Sequence, residues 1–405
     1  MIRFMVVLTI FVFGQFGVKA QDTHTDIIPV GSTVKKLSSN QFAYTRGAVW
    51  YNDSLLLFTD DFHSGADIYQ FDPISKQISK WPTNATHCSG LSLDKNGNLI
   101  GASNTVIMIN KAGQVIKTLA SGYNDKPFDN PIDVIADKKG GVYLCDPDFF
   151  LTTFPQDKTA VYYIDSIGNV KRVIDDLAEP NGPVLSPDGK KLYVLDTSNK
   201  YVYSWDVAPD GSVSDKLSLA ELQTKTTGGV SAGAVGMAID SYGNIYVGTE
   251  IGIQVFTPQG VAITTITVPE SAIDCDFGGK DFTTLYITAF TYNNSNFSSN
   301  LYSIDLNYPG YAVSRKNMTD AKTISNQPSV NVYPNPVSDY LDVQHNLGKV
   351  NSIDILSIDG KKETISLRKQ EGTSIEINTQ NLQSGMYILR IVSDEGIVTR
   401  KFVKN

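Results

Sequence analysis

One pattern repeats six times along the chain and limits its possible folds more than any other feature. In each copy a small residue precedes an apolar run, a turn often carrying Asp and Gly follows, and a second apolar run ends the copy. The starts lie 43, 43, 49, 54 and 39 residues apart. The copies are GAVWYNDSLLLFTD from Gly47, GLSLDKNGNLIGAS from Gly90, DVIADKKGGVYLCD from Asp133, GPVLSPDGKKLYVLD from Gly182, GMAIDSYGNIYVGT from Gly236 and CDFGGKDFTTLYITA from Cys275.

A second strand pair is predicted after every copy. These pairs read DIYQFDPISKQISKW, TVIMINKAGQVIKTL, AVYYIDSIGNVKRVI, YVYSWDVAPDGSVSDKL, GIQVFTPQGVAITTI and NLYSIDLNYPGYAV. The turns KNG, SYG, SPDG and PQG supply the positive-φ residue that tight hairpins need. Four strands in a repeat of this length form one propeller blade, and a single blade cannot bury both its faces. We therefore predict an all-β, six-bladed β-propeller over residues 21–318; a solenoid or two sandwiches explain the even repetition less well.

The first twenty residues have the features of an export signal. Arg3 is followed by an apolar stretch, Phe4–Val18, and small residues near Ala20 offer a cleavage site. The alternative is a membrane anchor, but the stretch is short and is interrupted at Gly14 and Gln15. We predict a signal peptide over residues 1–20, and the sequence shows no other segment that is apolar enough to form a transmembrane span.

The end of the chain falls outside the six-fold repeat. Residues 319–328 are polar and are predicted to be a linker, and residues 329–405 alternate like the strands of a small sandwich. This tail resembles the C-terminal sorting domain of the type IX secretion system of Bacteroidetes, through VYPNP (Val332–Pro336), GMYILRI (Gly385–Ile391) and KFVK (Lys401–Lys404). The resemblance implies type IX secretion machinery as a partner and a secreted or cell-surface location. The alternative is an ordinary accessory sandwich.

Charge and cysteine content exclude two classes of protein. The formal net charge is −8 with no long basic run, so nucleic acid is not an expected partner. The three cysteines, Cys88, Cys145 and Cys275, cannot all pair and do not follow a zinc-ligand spacing. Each lies in an apolar run, which predicts small buried side chains rather than a disulfide framework.

Aligning the repeats identifies one position per blade just before the innermost strand, where propeller sites usually lie. The six residues at this position are Arg46, Ser89, Ile132, Asn181, Val235 and Asp274. A hard divalent cation needs several converging oxygen ligands. Only Asp274, Asn181 and Ser89 supply them. Blades one and six become neighbours when the ring closes, which predicts an ion pair between Arg46 and Asp274.

The propeller region resembles the family of senescence marker protein, gluconolactonase and luciferin-regenerating enzyme, with diisopropyl fluorophosphatase as a relative. The resemblance covers about Phe42 to Val313. The stretches that carry it are EPNGPVLSPDGKKLYVLDT (Glu179–Thr197), FGGKDFTTLYITA (Phe277–Ala289) and NPIDVIADKKGGVYLCDP (Asn130–Pro147). The resemblance implies hydrolysis of sugar lactones or related esters, assisted by calcium or another divalent cation that acts as a Lewis acid.

The resemblance also implies which positions would hold the cation. It places a Glu at the first-blade position, an Asn in the fourth blade and an Asp, also a base, in the fifth, with a further Asn in the third. Only the fourth-blade ligand is present, as Asn181; Arg46, Val235 and Ile132 occupy the other three positions, although Asp133 of the third-blade motif remains. An arginine repels a cation and a valine cannot act as a base.

Two functions therefore stay open. One is a lactonase- or esterase-type hydrolase whose usual metal site is largely replaced, and the other is a non-catalytic surface propeller that binds a carbohydrate, peptide or protein partner. No catalytic residue is assigned. The candidates for lining the channel or contacting substrate are Arg46, Ser89, Asp133, Asp274 and His63, and Asn181 is the one candidate metal ligand.

Overall fold

The structure is a computed structural model that describes residues 24–39, 42–60, 67–149, 153–293, 296–314, 330–345, 347, 349–357, 361–393 and 396–405. The chain divides into two compact units, Met1–Arg315 and Lys316–Asn405. The predicted signal peptide (1–20) and linker (319–328) lie outside the described residues.

The regular elements in the described residues of the first unit are antiparallel strands. They are β1 (Lys35–Lys36), β2 (Thr45–Tyr51), β3 (Leu55–Asp60), β4 (Asp67–Asp72), β5 (Gln77–Lys80), β6 (Leu91–Leu93), β7 (Leu99–Ala102), β8 (Val106–Ile109), β9 (Val115–Ala120), β10 (Gly122–Tyr123), β11 (Lys126–Pro127), β12 (Asp133–Ala136), β13 (Val142–Asp146), β14 (Ala160–Ile164), β15 (Val170–Ile174), β16 (Pro180–Leu185), β17 (Lys191–Asp196), β18 (Tyr201–Val207), β19 (Val213–Glu221), β20 (Met237–Ile239), β21 (Ile245–Thr249), β22 (Gly252–Phe256), β23 (Ala262–Ile266), β24 (Ser271–Gly278), β25 (Thr284–Asn293) and β26 (Asn296–Asp305).

These strands make six four-stranded sheets, which confirms the six-bladed propeller. Blades one to five are the consecutive runs β2–β5, β6–β9, β12–β15, β16–β19 and β20–β23, and the short pair β10–β11 branches off after blade two. The innermost strands touch in a closed ring, in the order β2, β6, β12, β16, β20, β24 and back to β2. The beginning of each innermost strand is called the upper end of the channel, and the opposite end is the lower end.

Blade six differs from the prediction. Its order is β24–β25–β26–β1, so its outermost strand is Lys35–Lys36 from the beginning of the first unit, paired with Ser303 and Tyr302. The predicted final strand around GYAV does not form; Gly310 instead bridges Asp240 in blade five. This pairing joins segments from near the two ends of the unit in one sheet and so closes the ring.

Aspartate side chains organise the hairpin turns at the lower end of the innermost strands. Asp94 Oδ1 accepts the backbone N–H groups of Asn96 and Asn98, both at 2.8 Å. Asp240 Oδ1 makes the same two contacts in blade five, both at 2.9 Å. Gly97 and Gly243 follow in these turns with φ of 79° and 85°, a conformation that other residues rarely adopt. The Asp and Gly of the repeat are therefore turn-forming residues.

A second set of aspartates lies at the upper end, at the last residue of the second strand in three blades. Each carboxylate accepts two backbone N–H groups of the segment that leads into the same blade's innermost strand. Asp60 binds Ala43 and Tyr44, Asp146 binds Asp129 and Asn130, and Asp196 binds Ala178 and Glu179. These bonds fix the segments that deliver the channel-end residues.

Apolar clusters fill the space between neighbouring blades. Between blades one and two, for example, Tyr51, Leu57 and Trp81 pack with Leu93 and Leu99. Burying such side chains contributes about 1.5–3 kcal/mol each. The three cysteines are buried, as predicted.

The second unit is a small sandwich of two four-stranded sheets, as the sequence predicts. Its strands are β27 (Val330–Tyr333), β28 (Tyr340–His345), β29 (Val350–Ser357), β30 (Lys362–Glu363), β31 (Ser366–Glu371), β32 (Ser374–Asn378), β33 (Gly385–Ser393) and β34 (Gly396–Lys404). One sheet has the order β27–β28–β32–β31 and the other β30–β29–β33–β34. Leu341, Val343, Ile355, Ile377 and Leu389 are fully buried between them. Within the part of the chain that the structure describes, no helix is long and apolar enough to cross a membrane.

Candidate functional site at the channel end

Arg46 crosses the upper end of the channel. It enters from blade one, and its Nη2 atom donates to Oδ1 of Asn181 in blade four at 3.4 Å. Blades one and four lie opposite each other in a ring of six. Both side chains are buried, with exposed fractions of 7% and 1%. The guanidinium therefore occupies the axis at the level of Asn181.

The two partners are delivered by matching irregularities in their strands. The pairing register shifts between Arg46 and Val49 in blade one and between Asn181 and Val184 in blade four. The next residues, Gly47 and Gly182, have φ of 58° and 54°. Such a bulge with glycine in the left-handed region re-aims the preceding side chain.

The side-chain amide oxygen of Asn181, Oδ1, already accepts two hydrogen bonds. Besides Arg46 it accepts the Gly182 N–H at 3.1 Å, and Asn181 Nδ2 donates to Thr197 Oγ1 at 3.3 Å. The oxygen that a cation would use is therefore occupied by a resident positive charge.

Asp133 and Asp274 occupy equivalent positions on opposite blades, three and six. Asp133 Oδ1 accepts the N–H of Val134, and Asp274 Oδ1 accepts that of Cys275. Each also abuts the first glycine of the preceding blade's repeat, Gly90 or Gly236. The sequence alignment assigned Asp274 to the position of Arg46 and Asn181, because it took Cys275 as the small residue that begins the copy. In the structure Asp274 instead occupies the position that follows.

The residue of blade six that corresponds to Arg46 and Asn181 is therefore Ile273. It is fully buried, as Ile132 is in blade three. Burial raises the pKa of both Asp133 and Asp274, and the positive charge of Arg46 opposes part of that rise at each carboxyl. The ion pair between Arg46 and Asp274 stays a prediction. Asp274 Oδ2 is bound by the Ala48 N–H of blade one at 3.0 Å.

Burial dominates the acid–base properties of these carboxyls. It raises the pKa of Asp133, and the negative charge of Asp274 raises it further. Burial likewise raises the pKa of Asp274, and it raises that of Asp276 to about 7. The Trp50 N–H donates to Asp276 Oδ2 at 3.0 Å. With the Ala48 N–H that Asp274 accepts, two backbone N–H groups at the edge of blade one therefore have acceptors in blade six. The upper end of the channel thus holds the buried guanidinium of Arg46 together with carboxyls whose pKa values are raised by burial.

A cavity of about 190 Å³ extends along the channel from these carboxyls toward the lower end. Asp133, Asp274, Asp276, Ser92 and Ser186 contribute polar atoms to its lining. Residues 311–314 line its lower end, where the Tyr311 N–H donates to the Ile239 carbonyl at 2.9 Å. The part of the chain that was predicted as a final strand is therefore a strap across the lower end.

The remaining predicted candidates have different positions. Ser89 is buried at the upper end, where its carbonyl accepts the Thr59 hydroxyl at 2.8 Å. Val235 lies next to Gly182, since a Cβ on that glycine would meet the Val235 carbonyl oxygen at 2.7 Å. His63 lies outside the described residues.

The residues at the channel end do not fit a divalent cation. No group of three His, Cys, Asp or Glu side chains suited to a metal occurs in the described ranges. Asn181 Oδ1 contacts a guanidinium, and Val235 offers no side-chain oxygen. Calcium needs six to eight oxygen ligands.

The close contact of Gly236 with Asp274 gives a testable consequence. A Cβ at this position would lie 2.0 Å from Asp274 Oδ1 and 2.5 Å from Cγ. Gly236→Ala should therefore lower the free energy of unfolding by about 1–3 kcal/mol, as overpacking does. Urea unfolding followed by tryptophan fluorescence measures this in the propeller alone, because Trp50, Trp81 and Trp205 all belong to it. Adding Asp274→Ala removes the two closest atoms, Oδ1 and Cγ, and leaves only Cβ at 2.9 Å, so strictly additive losses would contradict this explanation.

Sequence reasoning missed Asp276, the strap at residues 311–314 and the structural aspartates of the upper end. The alternation of Asp274 and Asp276 in IDCDFG is the signal that could have revealed the first. No sequence signal marks Asp60, Asp146 and Asp196 as backbone acceptors rather than ligands, because the same residue type serves both purposes.

Comparison with known proteins agrees with this architecture. Residues 44–291 match the family described as the SMP-30/gluconolactonase/LRE-like region. Residues 331–405 match the secretion system C-terminal sorting domain, which indicates type IX secretion and a secreted or cell-surface protein.

Individual relatives carry the names of enzymes and of a calcium-binding protein. A gluconolactonase of Zymomonas mobilis is 26% identical over 65% of this chain and 80% of its own length. The solved gluconolactonase of Xanthomonas campestris has a TM-score of 0.59 at 21% identity, covering 68% of this chain and 90% of that one. A regucalcin of Agrobacterium tumefaciens, described as calcium-binding, has a TM-score of 0.58 at 16% identity, covering 70% and 98%.

These matches, together with the six-bladed ring, identify the chain as a member of the SMP-30/gluconolactonase/LRE-like family that carries a C-terminal sorting domain.

Proposed function

We propose that this protein is a secreted propeller that binds a sugar-like or lactone-like small molecule at its upper channel end without a divalent cation. The observation that carries the proposal is the contact between Arg46 and Asn181 Oδ1. A cation bound to that oxygen would share it with the guanidinium. Two like unit charges about 4 Å apart repel by about 4 kcal/mol at an effective dielectric constant of about 20, and a divalent ion doubles this.

The channel end retains hydrogen-bonding groups for such a molecule. A guanidinium has five donors in a rigid planar arrangement, which suits carbonyl and hydroxyl oxygens. The Asp133 and Asp274 carboxyls lie at the same end and can accept or donate, because burial raises the pKa of each. Ligand binding therefore needs no metal, whereas the cation-assisted step that the family resemblance implies has no support here.

Metal-free hydrolysis of a lactone or ester is the second candidate, and the surroundings of Asp133 favour it. The raised pKa of this carboxyl suits a general base at neutral pH. The positive charge of Arg46, which acts on it through space, could stabilise the developing oxyanion.

Assays of sugar lactone hydrolysis by the full chain, with calcium and with a chelator, test the proposal. We expect no calcium-dependent turnover. Chelator-sensitive turnover would contradict the proposal, whereas turnover that persists in chelator and is lost in Asp133→Asn would favour the second candidate.

The organisation predicted from the sequence completes the proposal. We propose a signal peptide at residues 1–20, the propeller at 21–318, a linker at 319–328 and the sorting domain at 329–405, in a protein from a member of the Bacteroidetes. The match to the sorting domain supports export through the type IX machinery. Mass spectrometry of the secreted protein, with a new N-terminus after Ala20, tests the first boundary.

A further inference from the structure

One hairpin of blade six continues past the level at which the second strands of blades one and four end. In blades one and four the second strand ends at Asp60 and Asp196, opposite Thr45 and Pro180. In blade six the residue at this level is Ala289, opposite Ala272, and β25 continues four residues further to Asn293. At about 3.3 Å per residue, β25 extends about 13 Å past the level of these strand ends.

One face of this hairpin is aromatic. Phe290 and Tyr292 alternate along β25, and Phe297 pairs directly with Tyr292, so the three side chains share a face. The ring centroids of Tyr292 and Phe297 are 4.7 Å apart, and those of Phe290 and Phe297 are 6.0 Å apart with an interplanar angle of 26°. Tyr44 packs against Phe290 at 5.3 Å. Tyr292 is 57% exposed, which is unusual for a tyrosine in a folded protein.

The base of the hairpin is tied to the segment that delivers Arg46. The hydroxyls of Thr45 and Ser299 are 2.6 Å apart, and the Thr45 N–H donates to Ser299 Oγ at 3.1 Å. The Ser299 N–H donates to the Phe42 carbonyl at 2.9 Å. The aromatic face therefore begins two residues from Arg46 and rises from the edge of the channel.

The opposite side of the upper end carries carboxylates. Glu179 immediately precedes the innermost strand of blade four, and Asp148 lies two residues beyond the second strand of blade three. Asp196 is committed to backbone N–H groups, but Glu179 and Asp148 are partly exposed. Carboxylates accept hydroxyl hydrogen bonds readily.

We propose that the aromatic face formed by Phe290, Tyr292 and Phe297 is a stacking platform for a saccharide chain of more than one ring, whose terminal unit enters the upper channel end. The inference rests on the proposed function. A sugar ring has an apolar C–H face that can pack on aromatic rings and an edge of hydroxyls that can bond to carboxylates and to a guanidinium. The projecting hairpin supplies the aromatic surface, while Glu179, Asp148 and Arg46 supply the polar partners. A wall of this height exceeds what a single ring at the channel end would contact.

Calorimetric titration of the full chain with malto-, cello- and xylo-oligosaccharides of one to six rings tests the platform. In at least one series, affinity should rise about tenfold from one ring to three. Tyr292→Ala should weaken binding of the longer members about tenfold, while Tyr292→Phe retains it because the ring is kept. Ile167→Ala, which removes an 80% exposed apolar side chain from a distant turn, is the matched control and should change nothing. Unchanged melting temperatures would show that all three variants fold.

Affinity that does not depend on chain length, or equal binding by Tyr292→Ala and Tyr292→Phe, would overturn the platform and leave the binding of single rings in place. No binding in any series, single rings included, would overturn the platform and contradict sugar binding at the channel end as well. None of these results concerns the metal. Calcium-dependent lactone hydrolysis by the native chain would overturn the proposed function instead, whatever Tyr292→Ala does, so the two failures are distinguishable.

Discussion

Arg46→Glu combined with Val235→Asp should create calcium-dependent stability in the propeller. The family resemblance implies carboxylates at these two positions, and Asn181 would supply the third protein ligand. The change also removes the guanidinium that contacts Asn181 Oδ1. A ligand at a hundred times its dissociation constant stabilises by about 2.7 kcal/mol. That corresponds to a rise in melting temperature of about 5 °C or more for a unit of this size.

Without calcium the same double variant should be less stable than the native chain, because the new carboxylates lie in the region of Asp133 and Asp274, whose pKa values burial already raises. Arg46→Gln with Val235→Asn is the matched control, with similar sizes and no new charge. Tryptophan-fluorescence melting in calcium and in chelator measures all of these proteins. A folded double variant that gains no stability from calcium would show that Arg46 and Val235 do not occupy cation-ligand positions.

Lowering the pH from about 8 to about 6 should stabilise the propeller, since burial raises the pKa of Asp276 and of Asp146 to about 7, far above the unfolded value of about 3.9. Between these values the folded state binds more protons, so this contribution is fully present below the unfolded pKa and is lost as the pH rises through about 7. Each such group contributes a slope of up to about 1.4 kcal/mol per pH unit.

Carboxylates whose pKa is lowered in the folded state limit this gain in stability at lower pH. The Arg172 guanidinium lowers the pKa of Asp157, and Lys171 lowers that of Asp210, so their contributions are lost as the pH falls below about 4. Urea unfolding at a series of pH values should show stability rising below neutrality and then falling. Asp276→Asn should reduce the slope of the unfolding free energy against pH between about pH 8 and 6 by the equivalent of up to one bound proton. Asp281→Asn, an exposed control, should leave that slope unchanged. Identical slopes for the two variants would contradict the assignment.

The repeat predicts most of the fold because each blade needs the same local chemistry. Asp94 and Gly97 show how a short polar turn with a positive-φ glycine joins two apolar strands, and these residues are visible in the sequence. The outermost strand of blade six was not predictable in this way. Lys35–Lys36 is two residues long and exposed, so it has no apolar alternation, and pairing over a long sequence separation is what places it.

The channel end was predicted only in part. The repeat alignment predicts Arg46 and Asn181 as channel-end positions, whereas their contact depends on the closure of the ring and on two bulges. Asp274 was assigned one residue too early, since the repeat pattern does not separate Asp274 from Cys275. The aromatic face of Phe290, Tyr292 and Phe297 gave no signal, because alternating aromatics also suit an ordinary buried strand.

The central claim is that the guanidinium of Arg46 occupies the position at which the family resemblance implies a bound cation. Its most direct test is the binding of calcium to the native full chain, measured by calorimetric titration after exhaustive chelation, together with tryptophan-fluorescence melting. We expect no saturable heat at the propeller and the same melting temperature in millimolar calcium and in chelator. Stoichiometric binding that raises the melting temperature of the native propeller, and that survives removal of the sorting domain, would contradict the claim.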